Sequence, residues 1–360
     1  MGKGWTYHHE RIRWTDPDTD VTGWQLTSFP TVSIHLPYAY SNLYNGFTAD
    51  SHTLVFKSRR SASRDAPFDL FRVDIDGTDL TQLTERDYLG GVAVSGADRL
   101  VYLFEKGILS TLHLETLEES EIAHTGVGLP DWSDRRIPPG HEWPWGFLSP
   151  DDRWFFTRAM DQQGRPCLIR VATDGSDVAT LHVGDDWLPQ SIDPAGRGIY
   201  IAVRRDGSMD LCLFDFEGRL VNPYGCMDRF AHACPLGDSG WYQACALPPE
   251  RALLTLQENQ GTPGVLAEGP YFWHSSASLD GQWIVADTNW PNEGLQLVCV
   301  KTRRFCTLLH PRNSGGHPQS THAHPKFSPD GRYVAFNSDQ TGIGQVYMVE
   351  VPEQFKRELE

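Results

Sequence analysis

Residues 319–339 read QSTHAHPKFSPDGRYVAFNSD and combine strand, turn and metal-ligand signals in one stretch. The SPDG segment at 328–331 has the residue types of a tight turn, and the YVAF segment at 333–336 is a short apolar run typical of a strand. A second turn at 339–344 and the strand-like QVYMVEV at 345–351 complete the unit. A strand, turn, strand, loop and strand in this order are typical of one blade of an antiparallel β-propeller.

Units of this kind recur along the whole chain. Registered on their first turns, seven of them begin at about residues 45, 90, 145, 190, 230, 273 and 319 of the 360-residue chain. This spacing of roughly 40 to 50 residues matches the length of one propeller blade and leaves no room for a second domain. We therefore predict an all-β fold, a seven-bladed β-propeller, as a single domain over residues 1–360.

Residues 1–40 precede the first of these units and are not predicted to form a blade. They contain GWQLT at 23–27, which echoes the TQLT at 81–84 that ends the first unit. A ring of blades has to avoid an unpaired strand edge, because such an edge pairs with other chains. We therefore predict that this N-terminal segment supplies the outer strand of the last blade and closes the ring.

Composition excludes several classes of protein. A formal net charge of -16 argues against a broad nucleic-acid surface, and an anionic substrate would need a local cation such as a metal ion or a few arginines. The seven cysteines are an odd number without a CxxC pair, which indicates reduced thiols. There is no apolar signal region and no run of about 18 apolar residues. These features predict a cytoplasmic monomer or homodimer without a membrane or nucleic-acid partner.

Histidine occupies one position of the blade register in three consecutive units. His232, His274 and His324 each lie six residues before an aspartate of the following turn. The start of each innermost strand lines the mouth of the central channel, so we expect these three side chains to converge there. His322 lies two residues before His324, and on an extended strand both imidazoles point to the same side.

Gln319 adds an amide oxygen three residues before His322. Neutral imidazole suits zinc, manganese, iron, nickel or copper, and an amide oxygen favours metals that accept oxygen donors. Taken singly, each histidine is explained as well by a hydrogen-bonded channel residue. Taken as a set, His274, Gln319, His322 and His324 predict one shared divalent metal ion, with His232 facing the same cavity.

At this point the sequence resembles the oligogalacturonate lyases, and the resemblance runs nearly from end to end. The matching motifs are DP at 16–17, QLT at 25–27, NLYN at 42–45, FT at 47–48, QLT at 82–84 and FLSPDD at 147–152. The most specific match is a histidine in the penultimate blade with Gln-x-x-His-x-His in the last, here His274 and residues 319–324. The resemblance implies a seven-bladed propeller that cleaves short pectin fragments in the cytoplasm by β-elimination.

The resemblance also implies a bound divalent metal ion, typically Mn²⁺, with Zn²⁺, Ni²⁺ or Fe²⁺ as alternatives, and it implies His232 as a further active-site histidine. The catalytic base of the family is an arginine in the fourth blade. This chain departs from that pattern, because the nearest position holds Asp210, while Arg204 and Arg205 lie a few residues away. The candidate bases are therefore His232, Arg205 and Asp210.

In the implied reaction, the metal ion neutralises a uronate carboxylate and so acidifies the adjacent C5 hydrogen. A base removes this proton and the C4 glycosidic oxygen leaves, giving a 4,5-unsaturated sugar. Arg204 and the blade-start aromatics Tyr44 and Trp145 are candidates for substrate binding, with inter-blade packing as the other role for the two aromatics. Two other functions stay open: a lyase for a different uronate-containing glycan, and a non-catalytic propeller that binds a ligand or partner.

Overall fold

The computed structural model describes residues 2–8, 10–36, 46–61, 63, 66–86, 90–127, 146–316 and 321–360. Within these ranges the regular structure consists of thirty strands and one short helix at the C-terminus. None of the helical structure in these ranges is long and apolar enough to cross a membrane.

The strands are named in chain order. The N-terminal segment contains β1 (Thr6–Tyr7), β2 (Ile12–Thr15) and β3 (Thr22–Gln25). Blade one contains β4 (Ser33–His35), β5 (Thr53–Ser58), β6 (Asp69–Asp74) and β7 (Leu80–Gln82). Blade two contains β8 (Gly91–Val94), β9 (Leu100–Glu105), β10 (Ile108–His113) and β11 (Glu119–His124). Blade three contains β12 (Gly146–Leu148), β13 (Trp154–Met160), β14 (Pro166–Ala172) and β15 (Val178–Val183).

Blade four contains β16 (Trp187–Ile192), β17 (Ile199–Arg205), β18 (Ser208–Phe214) and β19 (Leu220–Cys226). Blade five contains β20 (Phe230–Pro235), β21 (Tyr242–Ala246), β22 (Ala252–Leu256) and β23 (Gly264–Glu268). Blade six contains β24 (Phe272–Ala277), β25 (Trp283–Thr288), β26 (Leu295–Cys299) and β27 (Phe305–Leu309). Blade seven contains β28 (Lys326–Phe327), β29 (Tyr333–Ser338) and β30 (Gln345–Glu350), and helix α1 (Glu353–Leu359) follows.

Each blade is an antiparallel sheet in which strands consecutive in the chain pair with one another. The first strands of neighbouring blades contact each other, as β20 does β24 and β24 does β28, so these strands surround the central axis. The prediction of a seven-bladed β-propeller is confirmed.

The N-terminal segment closes the ring, as predicted. Strand β3 pairs with β30 in the register Gly23↔Val349 and Gln25↔Tyr347, which makes it the fourth strand of blade seven. Strand β2 pairs with β3 and adds a fifth strand outside it. The same segment also extends blade one, because β1 pairs with β7. The N-terminal segment therefore ties the first and last blades together.

The expected boundary at residue 40 needs a correction. Strand β4 pairs with β5 in the register Ser33↔Ser58 and His35↔Phe56, so residues 33–35 are part of the innermost strand of blade one. A separate bridge between Phe47 and Leu54 continues the pairing on the same strand β5. The inner edge of blade one is thus built from two short pieces on either side of residues 37–45, and neither piece is long enough to show an alternating pattern.

The core lies between the blades. The described residues form seven buried hydrophobic clusters, and each cluster joins side chains of two neighbouring blades. Between blades six and seven, for example, Val285 and Leu297 pack with Phe336 and Tyr347, and Leu359 of α1 reaches the same cluster. Each blade is therefore held by its two neighbours, which makes the first strands a rigid frame for side chains at the axis.

A recurrent turn joins the first and second strands of several blades. In the SPDG turn the hydroxyl of Ser328 donates to Asp330 Oδ1 at 2.6 Å, and Gly331 has a φ of 68° that suits glycine. The same hydroxyl-to-aspartate bond is made by Thr48 and Asp50, Ser149 and Asp151, and Ser278 and Asp280. These turns lie at the ends of the first strands, so the starts of those strands meet at the opposite mouth of the ring.

Candidate metal centre and active site

The three histidines that share one position of the blade register, His232, His274 and His324, lie at this mouth, at the starts of the first strands of blades five to seven. His232 lies on β20 and His274 on β24, and the pairing of each strand with its neighbour slips by a bulge at the histidine. A bulge turns a side chain away from the regular alternation, here at the axial edge of the sheet. His232 and His324 also have positive φ values of 54° and 46°. Such backbone strain in residues other than glycine is concentrated at functional sites.

Three of the predicted ligands form one compact group. One ring nitrogen from each of His274, His322 and His324 lies within 4.8 Å of those of the other two. The ring of His274 is 3.8 Å from that of His324 and 5.4 Å from that of His322, measured between centroids. All three side chains are buried, with exposed fractions of 6% or less. The structure therefore brings together, from two blades, three imidazoles at a spacing that a single cation could bridge.

Asp287 organises two of these histidines. Its carboxylate accepts hydrogen bonds from the backbone N–H of His274 at 2.7 Å, from Nδ1 of the same histidine at 2.9 Å, and from the backbone N–H of His324 at 3.1 Å. Burial raises the pKa of Asp287, and the two backbone donors oppose that shift. One buried carboxylate on β25 thus orients residues of both blade six and blade seven, as outer-shell carboxylates do around metal sites.

Hydrogen bonds also select the tautomers of two of the histidines. A carboxylate and a carbonyl can only accept, so Nδ1 of His274 carries the proton donated to Asp287, and Nε2 of His322 carries the proton donated to the carbonyl of Gly316 at 2.8 Å. Nε2 of His274 and Nδ1 of His322 are then the lone-pair atoms. These are the atoms that a metal ion would use.

His232 lies beside this group but is not one of the three clustered ligands. Its ring is 4.4 Å from that of His274, and its Nδ1 donates a short hydrogen bond to the carbonyl of Trp273. Its lone pair is therefore on Nε2. Burial lowers the pKa of His232 to about 4, so the imidazole is neutral at pH 7.

Burial keeps His35, His274 and His324 neutral as well. It lowers the pKa values of His274 and His324 well below the ordinary histidine value, and the neighbouring histidines lower them further. His35 on β4 is fully buried, and burial followed by the charge of Lys326 lowers its pKa to about 4. Neutral imidazole is the form in which histidine binds metal ions.

The residues that surround the histidines, Asp287, Lys326 and His35, are harder to predict from the sequence. Asp287 lies in the strand segment IVADTN, and Lys326 stands directly before Phe327 in β28. Both are almost fully buried, and burial lowers the pKa of Lys326 to about 8. A charged residue inside an apolar strand is rare unless it has a partner, and that rarity is the signal by which they could have been found. For His35 the sequence provides no such signal.

The candidate residues of blade four make no hydrogen bond or ion pair with the histidines in the described part of the chain. Arg204 and Arg205 end β17 and are exposed, and neither side chain makes a hydrogen bond or ion pair with the residues that the structure describes. Asp210 lies on β18, the third strand of the blade counted from the axis. The end of β17 is at the same mouth of the ring as the histidines. Gln319, Tyr44 and Trp145 lie outside the described residues.

A second group of metal-ligand residue types lies at the edge of the ring. It consists of Asp16, Asp18 and His310, whose ligand atoms also lie within 4.8 Å of one another. Here Arg312 occupies the group, with its Nη2 atom 2.7 Å from Asp18 Oδ2 and 3.5 Å from Asp16 Oδ1. The group joins the β2–β3 turn to the end of blade six, and an arginine already balances its carboxylates.

Comparison with known proteins agrees with the fold and with the resemblance noted above. The chain is 25% identical to the oligogalacturonate lyase of Dickeya dadantii, over 92% of this chain and 95% of that one. It is 25% identical to the oligogalacturonide lyase of Pectobacterium atrosepticum, over 90% and 92% of the two chains. No family model matches the sequence.

Two solved structures share the fold over nearly their whole lengths. An oligogalacturonate lyase from Vibrio parahaemolyticus superposes with a TM-score of 0.71 and 19% identity, covering 98% of this chain and all of the other. An oligogalacturonate lyase in complex with manganese superposes with a TM-score of 0.76 and 19% identity, covering 99% of this chain and all of the other.

The propeller fold and the full-length relatives define an enzyme of the lyase class. Its resemblance to the oligogalacturonate lyases is confirmed by both bacterial relatives.

Proposed function

We propose that this enzyme cleaves short uronate-containing oligosaccharides, oligogalacturonides in particular, by metal-dependent β-elimination to 4,5-unsaturated products. The observation that carries the proposal is the group of three buried imidazoles at the mouth of the ring, with a fourth imidazole beside it. The named activity of the two full-length bacterial relatives supports the choice of substrate.

The residues present fit a divalent metal ion. His274 and His322 would hold it through the lone-pair nitrogens described above, His324 would bind through one of its ring nitrogens, and Gln319 is the proposed fourth ligand. When bound, the ion would neutralise the uronate carboxylate and lower the pKa of the adjacent C5 hydrogen. We propose Mn²⁺, on the donor set and on the manganese held by one structural relative, with Zn²⁺, Ni²⁺ and Fe²⁺ as alternatives.

We propose His232 as the base that removes the C5 proton. Its Nδ1 atom is committed to the carbonyl of Trp273, so its lone pair is on Nε2, and its ring lies directly beside that of His274. A base has to reach the proton it removes, and His232 is the candidate that lies beside the three ligands. Arg205 and Asp210 remain proposals with less support, because neither contacts the histidine group in the described part of the chain.

Arg204, Tyr44 and Trp145 remain proposed substrate-binding residues. Arg204 is exposed at the mouth that carries the histidines, where its charge would attract an acidic oligosaccharide. We also propose that the protein is a cytoplasmic monomer or homodimer with no nucleic-acid or membrane partner. The seven cysteines, all free thiols in the structure, support a reducing compartment.

The experiment is an assay of purified protein, loaded with Mn²⁺, on di- and trigalacturonate. It follows the ultraviolet absorbance of the unsaturated product, with a chelated sample as control. We expect the absorbance to rise only in the loaded sample. Activity on another uronide but not on galacturonides would select a different glycan. Absence of both activity and stoichiometric metal would favour a non-catalytic binding propeller.

A further inference from the structure

Three aromatic side chains of blade six lie together at the mouth that carries the histidines. Tyr271 precedes β24, Trp273 lies within it, and Trp290 follows β25, so the start of one strand and the end of the next bring them to one place. The ring of Trp290 is 5.5 Å from that of Trp273 and stacks on Tyr271 at 6.0 Å, between centroids. We call these three residues the aromatic patch.

The aromatic patch is continuous with the histidine group. The ring of Trp273 is 4.4 Å from that of His232 and 5.7 Å from that of His274. The carbonyl of the same tryptophan accepts the hydrogen bond of His232 Nδ1. Trp273 therefore links Trp290 to the histidines, and Trp290 is the outer of these two tryptophans.

Trp290, at the outer end of the aromatic patch, is more exposed than tryptophan residues usually are. Trp290 is 64% exposed, although tryptophan is usually well buried, and its φ of 45° is strained. Its loop is nevertheless held in place, because Thr288 Oγ1 donates to the carbonyl of Gly294 at 3.0 Å and Asn292 Nδ2 donates to Asn313 Oδ1 at 2.9 Å. A broad aromatic face is thus presented to solvent on a braced loop.

The inner part of the patch carries two donors that have no partner among the described residues. Trp273 Nε1 and the hydroxyl of Tyr271 are buried, yet neither has a hydrogen-bond partner within the part of the chain that the structure describes. Tyr271 is only 5% exposed. Buried donors are normally satisfied, so donors left over beside a candidate active site indicate a polar ligand that supplies the acceptors.

We propose that the aromatic patch is a sugar-binding subsite for the third uronate residue of a trimer, on the side of the ring held at the histidine group that faces away from the cleaved bond. The apolar face of a pyranose ring would stack on Trp290, and its hydroxyl or carboxylate oxygens would accept hydrogen bonds from Trp273 and Tyr271. The inference rests on the proposed function. It adds that the enzyme recognises a sugar ring beyond the two that flank the cleaved bond and that blade six carries this recognition.

The test compares Trp290→Ala with the wild type and with Trp241→Ala. Trp241 is a matched control because it is 40% exposed and lies in the turn between β20 and β21, at the other mouth of the ring. The kcat/KM values for di- and trigalacturonate are measured for each Mn²⁺-loaded protein. We expect the ratio of the trimer value to the dimer value to fall about five- to tenfold in Trp290→Ala and to stay unchanged in Trp241→Ala.

A second measurement needs no catalysis. Trigalacturonate is titrated into metal-free protein while tryptophan fluorescence is followed, and we expect its Kd to rise at least about fivefold in Trp290→Ala. If the wild type cleaves galacturonides but Trp290→Ala leaves both the ratio and the Kd unchanged, the subsite is wrong and the proposed function stands. If the wild type binds the trimer without cleaving any uronide and the variant loses that binding, the function is wrong and the subsite stands. A wild type that neither binds nor cleaves overturns both.

Discussion

Among the residues that the structure describes, two groups combine histidine with aspartate at metal-binding distances, and they differ in almost every other respect. The axial group, His274, His322 and His324, is buried and is supported by the carboxylate of Asp287. The edge group, Asp16, Asp18 and His310, has two carboxylates and an arginine inserted between them. Residue type alone does not separate a metal centre from an ion-pair network.

The difference lies in the groups that already bind each set. At the axis, hydrogen bonds to Asp287 and Gly316 use one nitrogen of His274 and one of His322 and leave the lone pairs on the others. At the edge, Asp16 accepts from the backbone N–H of His310 at 2.9 Å and from the hydroxyl of Thr19 at 3.0 Å. We propose the first group as the site of a divalent cation, whereas the second is bound by hydrogen bonds and an arginine of its own chain and joins the β2–β3 hairpin to blade six.

Loss of an axial ligand should have the largest effect. His322→Ala is expected to reduce Mn²⁺ affinity by more than about 100-fold and to abolish activity, since loss of an outer-shell partner alone costs 10- to 100-fold. The metal content is measured by elemental analysis after dialysis, and the fold by near-ultraviolet circular dichroism. The matched control is His310→Ala at the edge group, which should keep its metal. If both variants kept the same amount of metal, the proposal that only the axial group binds the metal ion would be wrong.

Asp287→Asn tests the supporting carboxylate. The single amide oxygen can replace only one of the two carboxylate oxygens, either Oδ1, which accepts from the backbone N–H of His274, or Oδ2, which accepts from the backbone N–H of His324. The negative charge that raises the basicity of His274 is lost. We expect Mn²⁺ affinity to fall roughly 10- to 100-fold while the fold is kept. Isothermal titration calorimetry measures this affinity, with Asp16→Asn as the control that should leave it unchanged. An unaltered affinity in Asp287→Asn would show that this carboxylate has only a packing role.

Asp16→Asn should affect stability and not metal binding. Burial raises the pKa of Asp16, but hydrogen bonds from His310 and Thr19 outweigh it, and the net shift is downward. A lowered carboxyl pKa stabilises the fold above its unfolded value of about 3.9, and this stability is lost as the pH falls through the lower folded value. We expect the variant to lose about 1–3 kcal/mol of unfolding free energy at pH 7.

The pH dependence provides the check on that expectation. Urea unfolding of the wild type and of Asp16→Asn should begin to converge as the pH falls below about 4, and the convergence should be complete below the lowered folded pKa of Asp16, where the wild-type carboxyl is neutral too. A difference that stays constant from pH 7 to pH 3 would mean that the charge of Asp16 does not stabilise the closing hairpin.

The smallest effect is expected for Arg312→Gln. This side chain is 45% exposed, and exposed ion pairs contribute little, so we expect a loss of about 0.5 kcal/mol that shrinks as salt is raised. Thermal unfolding at low and high salt measures it. A gain of bound Mn²⁺ in this variant would show that the arginine alone had kept a metal ion out of the edge group.

Much of the axial site could be predicted because it follows the repeat. Histidine stands at one register position in three consecutive blades, and the symmetry of the ring makes equivalent positions converge. Asp287 escaped prediction because its partner His324 belongs to the next blade and meets it only in the folded ring. The first strand of blade one was not predicted because its described parts are two short pieces, and neither is long enough to show an alternating pattern.

The sequence by itself determined the seven blades, the closing strand and the register position that three histidines share, since these depend on local pattern and on repetition. Only the tertiary structure decided which histidine and aspartate residues act together. It set the bulges at His232 and His274, the tautomers of His274 and His322, and the aromatic patch beside them. These features arise from hydrogen bonds and ring contacts between strands distant in the chain, which no local pattern records.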